Sequence, residues 1–212
     1  MGAAATNRLS LEEYLVREEQ ASFRSEYFNG EVFVMAGGTP LHARLCARMI
    51  TLLNNALAGT TCEAYTSDLR YYIATANTIA YSDLSVVCGP PQFHGKSKSE
   101  VTNPVLLAEV ISASSDGWDQ LGKFALYKQL PTLREYLIVY QHAHLVEHHA
   151  RQEGGAWVTT VAEGLEAEVS LLLHPGAKLS LSALYADLTL DPDAIGRAHG
   201  KGIEGGEAAE PA

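Results

Sequence analysis

The chain has 212 residues, enough for one domain with a buried core. Its 15 lysines and arginines stand against 25 acids, and the net charge of -10 excludes a general coat of affinity for nucleic acid while leaving room for a local basic groove. No apolar run approaches the roughly 20 residues that span a bilayer, so no membrane insertion is expected.

In chain order, residues 1–8 are small and read as a loose N-terminus, with no basic segment followed by an apolar core to suggest a signal peptide. Ser10 and Glu13 form a capping-box pair that starts a short helix reaching about Glu19. Asn29-Gly30 then marks a tight hairpin, with Glu26 just before the turn and Glu31 just after it. Gly37-Gly38 breaks the second strand, and Thr39 caps a long helix over about 41–58. Leu45, Met49, Leu52, Leu53 and Leu57 give that helix its apolar period, and Gly59 ends it. Strands are predicted at 63–67, 69–74 and 79–88, the last interrupted by Asp83, with Asn77 at a turn. Residues 89–102 form a loop holding Lys96 and Lys98.

The run 105–111 is apolar at both parities except for Glu109, as expected of a strand covered on both faces. A carboxylate buried there needs a cation, a donor set or a proton. A polar turn over 112–117 and a helix carrying Asp119 and Lys123 follow, and Pro131 ends the helix. Leu121 and Phe124 are expected to anchor it. Residues 134–140 read as a strand, 143–150 and 156–161 as an antiparallel pair, and 180–185 as a last short helix. From Asp191 the chain holds five acids, two basic residues and little to bury, so 191–212 reads as a disordered acidic tail. The domain therefore runs 9–190, an α/β fold with antiparallel hairpins around a mixed central sheet. Cys46, Cys62 and Cys88 lie far apart without CxxC spacing, which suggests reduced thiols, an intracellular setting and no zinc signature.

Glu26, Asp83, Glu109 and Lys123 could converge. Two carboxylates with waters and a substrate phosphate suit Mg²⁺, and a nearby lysine can stabilise a developing oxyanion, as metal-assisted phosphodiester hydrolysis requires. Each residue also has a structural reading. Asp83 could bond backbone amides at a strand end. Glu109 and Lys123 could be a structural ion pair, Glu26 a solvated hairpin acid, and Asp119–Lys123 a helix-surface pair. His142 and His144 would share a face if they lay on a strand, but no cysteine or acid cluster completes a metal set. His42, near a helix start, reads as a surface or interface residue. Arg44, Arg48, Lys96 and Lys98 are the candidates for phosphate contacts.

The segments LSLEEYL, RSEYFNGEVFVM, SDLSVV, LLAEVISASS, DQLGKFALYKQ and LREYLIVY occur in an order that resembles the PD-(D/E)XK nuclease superfamily. Within it the chain is similar to the Uma-type bacterial group of restriction-endonuclease-like proteins, over about 9–185. That resemblance implies a restriction-endonuclease-like mixed sheet flanked by helices. It implies a Mg²⁺- or Mn²⁺-dependent homodimeric endonuclease acting on DNA, and the cysteine usage with no signal or membrane segment points to a cytoplasmic setting. Asp83 and Glu109 would be the metal ligands and Glu26 a helper acid. Ser82 replaces the proline that usually precedes the motif aspartate, Asn29 stands where an acid is common, and Ile111 stands where the motif lysine is expected. Lys123 on the next helix is then its replacement. The rival reading is a catalytically silent nuclease-fold protein that serves interaction or oligomerisation.

Overall fold

In this computed structural model residues 8–35, 37–95, 98–112 and 122–190 are described. Residues 1–7, Lys96, the polar turn with Asp119 and Leu121, and the C-terminal tail lie outside them.

Ser10 caps α1 (Leu11–Gln20) reciprocally with Glu13, as the sequence predicts. The hairpin of β1 (Ser25–Phe28) and β2 (Glu31–Val34) turns through Asn29 and Gly30, at φ 47° and 103°. Such left-handed geometry matches the twist of the flanking strands and suits Asn-Gly. Thr39 caps α2 (Pro40–Ala56), whose Pro40 sits at the first turn where a missing N–H costs nothing. Strands β3 (Cys62–Thr66), β4 (Arg70–Ile73), β5 (Thr78–Tyr81) and β6 (Leu84–Cys88) follow.

The single strand expected over 79–88 is corrected here: it is two strands, β5 and β6, in different sheets. Ser82 and Asp83 separate them. The Ser82 hydroxyl donates to the Leu84 carbonyl, and the Asp83 carboxylate accepts the Val110 amide. Short polar side chains that bond backbone groups compete with the ladder, and here they end it.

The loop after β6 contains the short β7 (Glu100–Val101), tied to β4 by the buried Arg70–Glu100 ion pair. The chain continues with β8 (Leu106–Ile111), α3 (Lys123–Tyr127), β9 (Glu135–Tyr140), β10 (Leu145–Arg151) and β11 (Trp157–Glu163). It closes with β12 (Glu168–Ser170), β13 (Lys178–Ser180) and α4 (Leu181–Tyr185).

A six-stranded sheet, β11-β10-β9-β8-β6-β3, forms the middle layer, and its one parallel pair is β8–β9. One of its faces carries Leu84, Val86, Ala108 and Val110 against Leu45, Met49 and Leu53 of α2. The other carries Val87, Leu107 and Ile111 against Tyr71, Ile73 and Ala80 of a five-stranded sheet, β2-β1-β5-β4-β7, and against Tyr127 of α3. So β8 is covered on both faces, as its composition predicts, and β12–β13 form a separate hairpin. The fold is mixed α/β, with mixed sheets flanked by helices. Among the described residues no helix is long and apolar enough to cross a membrane.

The cysteine reading needs a correction. Cys62 and Cys88 are partners in the β3–β6 register and are joined as a disulfide, and Cys46 alone is free. The sequence separation of 26 hid a pairing that strand register creates.

Candidate active site

Two polar clusters meet where the chain leaves one sheet for the other. The first is built on a lysine. Lys123 opens α3, yet it is only 4% exposed. Its Nζ lies 3.2 Å from Glu26 Oε1, 3.4 Å from Glu109 Oε1 and 3.3 Å from the Tyr81 carbonyl. An ammonium has three protons, and these are three acceptors for them. Glu26 reaches this point from β1, fully buried, and its Oε1 also accepts the Tyr81 amide at 3.0 Å. Glu109 reaches it from β8 and accepts from the Tyr127 hydroxyl at 3.1 Å. That hydroxyl lies 2.7 Å from the Tyr81 carbonyl as well, so two acceptors compete for its one proton. Burial first, then the Glu109 and Glu26 charges, holds the Tyr127 phenol well above its ordinary pKa. It is a donor here, not a base.

The second cluster is built on Asp83. Its Oδ2 takes the Val110 amide at 2.8 Å and lies 3.0 Å from His42 Nε2. Val110 follows Glu109 on β8, so one strand carries both clusters. Cys46, one turn along α2, places its sulfur 3.7 Å from His42 Nδ1 and 3.9 Å from Nε2. Burial alone would raise the Asp83 pKa; the His42 hydrogen bond and charge, the Val110 amide and the Lys123 charge together hold it below its ordinary value. For His42 burial acts downward, but the Asp83 hydrogen bond and charge, with Glu109, leave its pKa raised. Gly38 makes room for the imidazole, since a Cβ there would stand 2.6 Å from His42 Nδ1.

The pair has a calculable pH signature. A lowered carboxyl pKa gives stability that is complete above the ordinary value of 3.8 and is lost as pH falls through the folded-state value. A raised imidazole pKa gives stability that is complete below the ordinary value of 6.5 and is lost as pH rises through the folded-state value. Both contributions are full between those two ordinary values. Thermal melts of wild type and His42→Gln are therefore expected to differ most between about pH 4 and 6.5 and to converge in alkaline solution. A difference that grows with rising pH would refute the assignment.

Of the residues singled out from sequence, Glu26, Glu109 and Lys123 are brought into contact, and Asp83 is anchored beside them on β8. Glu26 is not the solvated hairpin acid that one reading allowed. Asp83 does bond a backbone amide, but it also faces His42. His42 is the residue sequence reasoning placed wrongly, on the surface or at an interface. The signal was present: positions 42, 45 and 49 lie on one stripe of α2, and Leu45 and Met49 are fully buried. Arg48 does not await a phosphate, because its guanidinium binds the Leu184 and Ala186 carbonyls at the end of α4. Arg44 and Lys98 are exposed. His142 and His144 lie in the turn before β10 and pack on different tyrosines, Tyr140 and Tyr185, so they do not chelate as a strand pair. Phe124 is half-buried rather than largely buried, and stacks on Tyr136.

Three comparisons bear on the family and the fold. A family model, Uma2, described as "Putative restriction endonuclease", matches residues 11–182. "Uncharacterized protein sll1609" of Synechocystis sp. (strain ATCC 27184 / PCC 6803 / Kazusa) is 38% identical over 169 residues, which is 80% of this chain and 96% of that protein. "Uncharacterized protein slr1290" of the same organism is 36% identical over 151 residues, 71% of this chain and 78% of that one. Among solved structures, a protein of Anabaena variabilis ATCC 29413 described as "a putative nuclease belonging to DUF820" superposes with a TM-score of 0.63. That match has 17% identity and covers 84% of this chain and 97% of the other, so it shows a shared fold.

Proposed function

As the chain belongs to the Uma2 family of restriction-endonuclease-like proteins, we propose that it is a metal-dependent nuclease that hydrolyses phosphodiester bonds in DNA. One observation carries the reading. A single buried lysine is shared by two acids from different sheets, and a third acid is fixed on the next residue of the same strand. Hard carboxylate oxygens gathered at one spot favour a cation there.

The donor set fits an ion of the Mg²⁺ or Mn²⁺ class, because Asp83 and Glu109 offer hard carboxylate oxygens. Such an ion would be held by those two residues and would supply Lewis-acid polarisation and positive charge at the phosphate. The protein's own groups do the rest. The Val110 amide and His42 fix the Asp83 carboxylate, so its oxygens need not be ordered during the reaction. Glu26 is a positioning residue that holds Lys123 at the Glu109 end. Lys123 exchanges one carboxylate for a phosphate oxygen and stabilises charge there as water attacks phosphorus and the sugar oxygen departs. Arg44 and Lys98 remain as phosphate contacts from the surface.

Incubation with plasmid and single-stranded DNA, with Mg²⁺, Mn²⁺ or EDTA, tests this directly. Cleavage is expected with the divalent ions and not with the chelator. No cleavage of either substrate would sink the proposal and leave the silent interaction protein as the better account. The same proposal includes a homodimer. Among the described residues strand β11 ends its sheet, is largely exposed and carries Val158 and Val161 at 46% and 58% exposure, an edge that a second copy could extend. Light scattering should give twice the monomer mass of 22.9 kDa at micromolar concentration; a monomer there refutes the dimer.

A further inference from the structure

We propose that His42, Cys46 and Asp83 form a three-donor site for Zn²⁺, built on different chemistry from the oxygen-only pair of Asp83 and Glu109. His42 and Cys46 lie one turn apart on α2, so their side chains share a face. Asp83 projects to the same place from the break between β5 and β6. One donor atom from each of the three lies within 4.8 Å of the others.

The spacing suits an ion. Tetrahedral zinc, with nitrogen and oxygen at about 2.0–2.1 Å and sulfur at about 2.3 Å, sets its donors about 3.3–3.6 Å apart. Two of the observed separations, 3.0 Å from His42 Nε2 to Asp83 and 3.9 Å from Nε2 to the Cys46 sulfur, straddle that range, and the Cys46–Asp83 pair lies within 4.8 Å. A hydrogen now joins the imidazole and the carboxylate where an ion would join all three. All three residues are half-buried, which shields the site in part from solvent. Supporting contacts are in place too: the Val110 amide fixes the Asp83 carboxylate, and the bare Gly38 gives the ring the room it occupies.

The donor set also selects the metal. Nitrogen, sulfur and one carboxylate suit Zn²⁺ and Co²⁺, whereas Mg²⁺ seeks oxygen alone. When the ion enters, the Cys46 thiol releases its proton to solvent and His42 binds as neutral imidazole, its proton carried on Nδ1. Sulfur–metal and nitrogen–metal bonds form, and no electrons are transferred. Asp83 then belongs to the zinc. If the nuclease reading holds, zinc therefore withdraws Asp83 from the Mg²⁺ or Mn²⁺ site and acts as an inhibitor; the binding itself does not depend on that reading.

Co²⁺ and Zn²⁺ titrations of the full chain test the site without any cleavage assay. Co²⁺ should produce a thiolate-to-cobalt charge-transfer band in the near ultraviolet. Since Cys62 and Cys88 are bonded to each other, Cys46 is the thiol that can supply it. The band should vanish in Cys46→Ala. Loss of residues that merely support a metal ligand costs about 10–100-fold in affinity, so losing the ligand itself should weaken Zn²⁺ binding at least that much by calorimetry. Equal affinity in wild type and Cys46→Ala, a cobalt complex without the thiolate band, or no Zn²⁺ binding would each overturn the proposal. Cys46→Ser, nearly the same size, supplies the same comparison should the alanine variant melt early in EDTA. A protein that binds zinc this way but never cuts DNA refutes the nuclease alone.

Discussion

Lys123→Met is expected to abolish cleavage and to destabilise the fold at the same time. The side chain is 5% exposed and lies between Glu26 and Glu109. Removing one partner of a buried ion pair leaves a charge without compensation, which costs about 3–5 kcal/mol. Here two carboxylates lose their shared cation. A lysine on an exposed helix surface could be replaced by methionine at little cost to folding. The burial of Lys123 reverses that expectation. Two measurements keep stability and chemistry apart. Urea melts give the stability loss, and adding Glu26→Gln to Lys123→Met should recover part of it by removing one of the stranded charges. Cleavage per folded molecule should stay lost in the double variant. A double variant that regained full cleavage would show that Lys123 serves the fold only. Lys123→Arg should also fail, because a planar fork in a full, buried site does not place charge where an ammonium does.

The second large effect is expected at Glu109. Glu109→Gln keeps the shape and an acceptor for the Tyr127 hydroxyl, so the melting temperature should change much less than in Lys123→Met. The charge, however, is gone. Mn²⁺ binding measured by calorimetry should weaken, and cleavage should fall on the order of 10²–10³-fold, the usual cost of removing one electrostatic contributor to a reaction. Tyr127→Phe gives the contrast, since it removes a hydrogen bond to the same oxygen without touching the charge. If Glu109→Gln cut DNA as fast as wild type, Glu109 would be a counter-ion for Lys123 and nothing more.

Much of this is legible in the sequence. The Ser10–Glu13 capping box, Asn29-Gly30 and Thr39 act within a few residues, so local chemistry alone located α1, the first hairpin and α2. Strand β8 was legible because burial on both faces forces an apolar run, and Glu109 stood out against it. What failed depended on partners distant in sequence. Nothing local says that Tyr81 and Leu84 belong to different sheets; the break appears once Asp83 has Val110 to bond. Nothing local says that Cys62 will face Cys88, because that needs the β3–β6 register. His42 was misread for a subtler reason. Its stripe was visible, but a histidine on an apolar stripe tells nothing about what it meets, and what it meets is Asp83.

The parallel pairing of β8 with β9 has a kinetic consequence. Strands lying parallel cannot close through a tight turn, and the crossover that joins this pair is the segment that delivers Lys123. The hairpins β1–β2 and β10–β11 can zip early by short loop closure. Lys123 meets Glu26 across a long stretch of chain, so that contact is expected to form late, on the native side of the folding barrier. Interactions absent from a transition state act on the rate of escape from the native state. In a chevron, Lys123→Met should therefore lift the unfolding arm and leave the refolding arm nearly in place, which makes this lysine a lock on how long each folded molecule lasts.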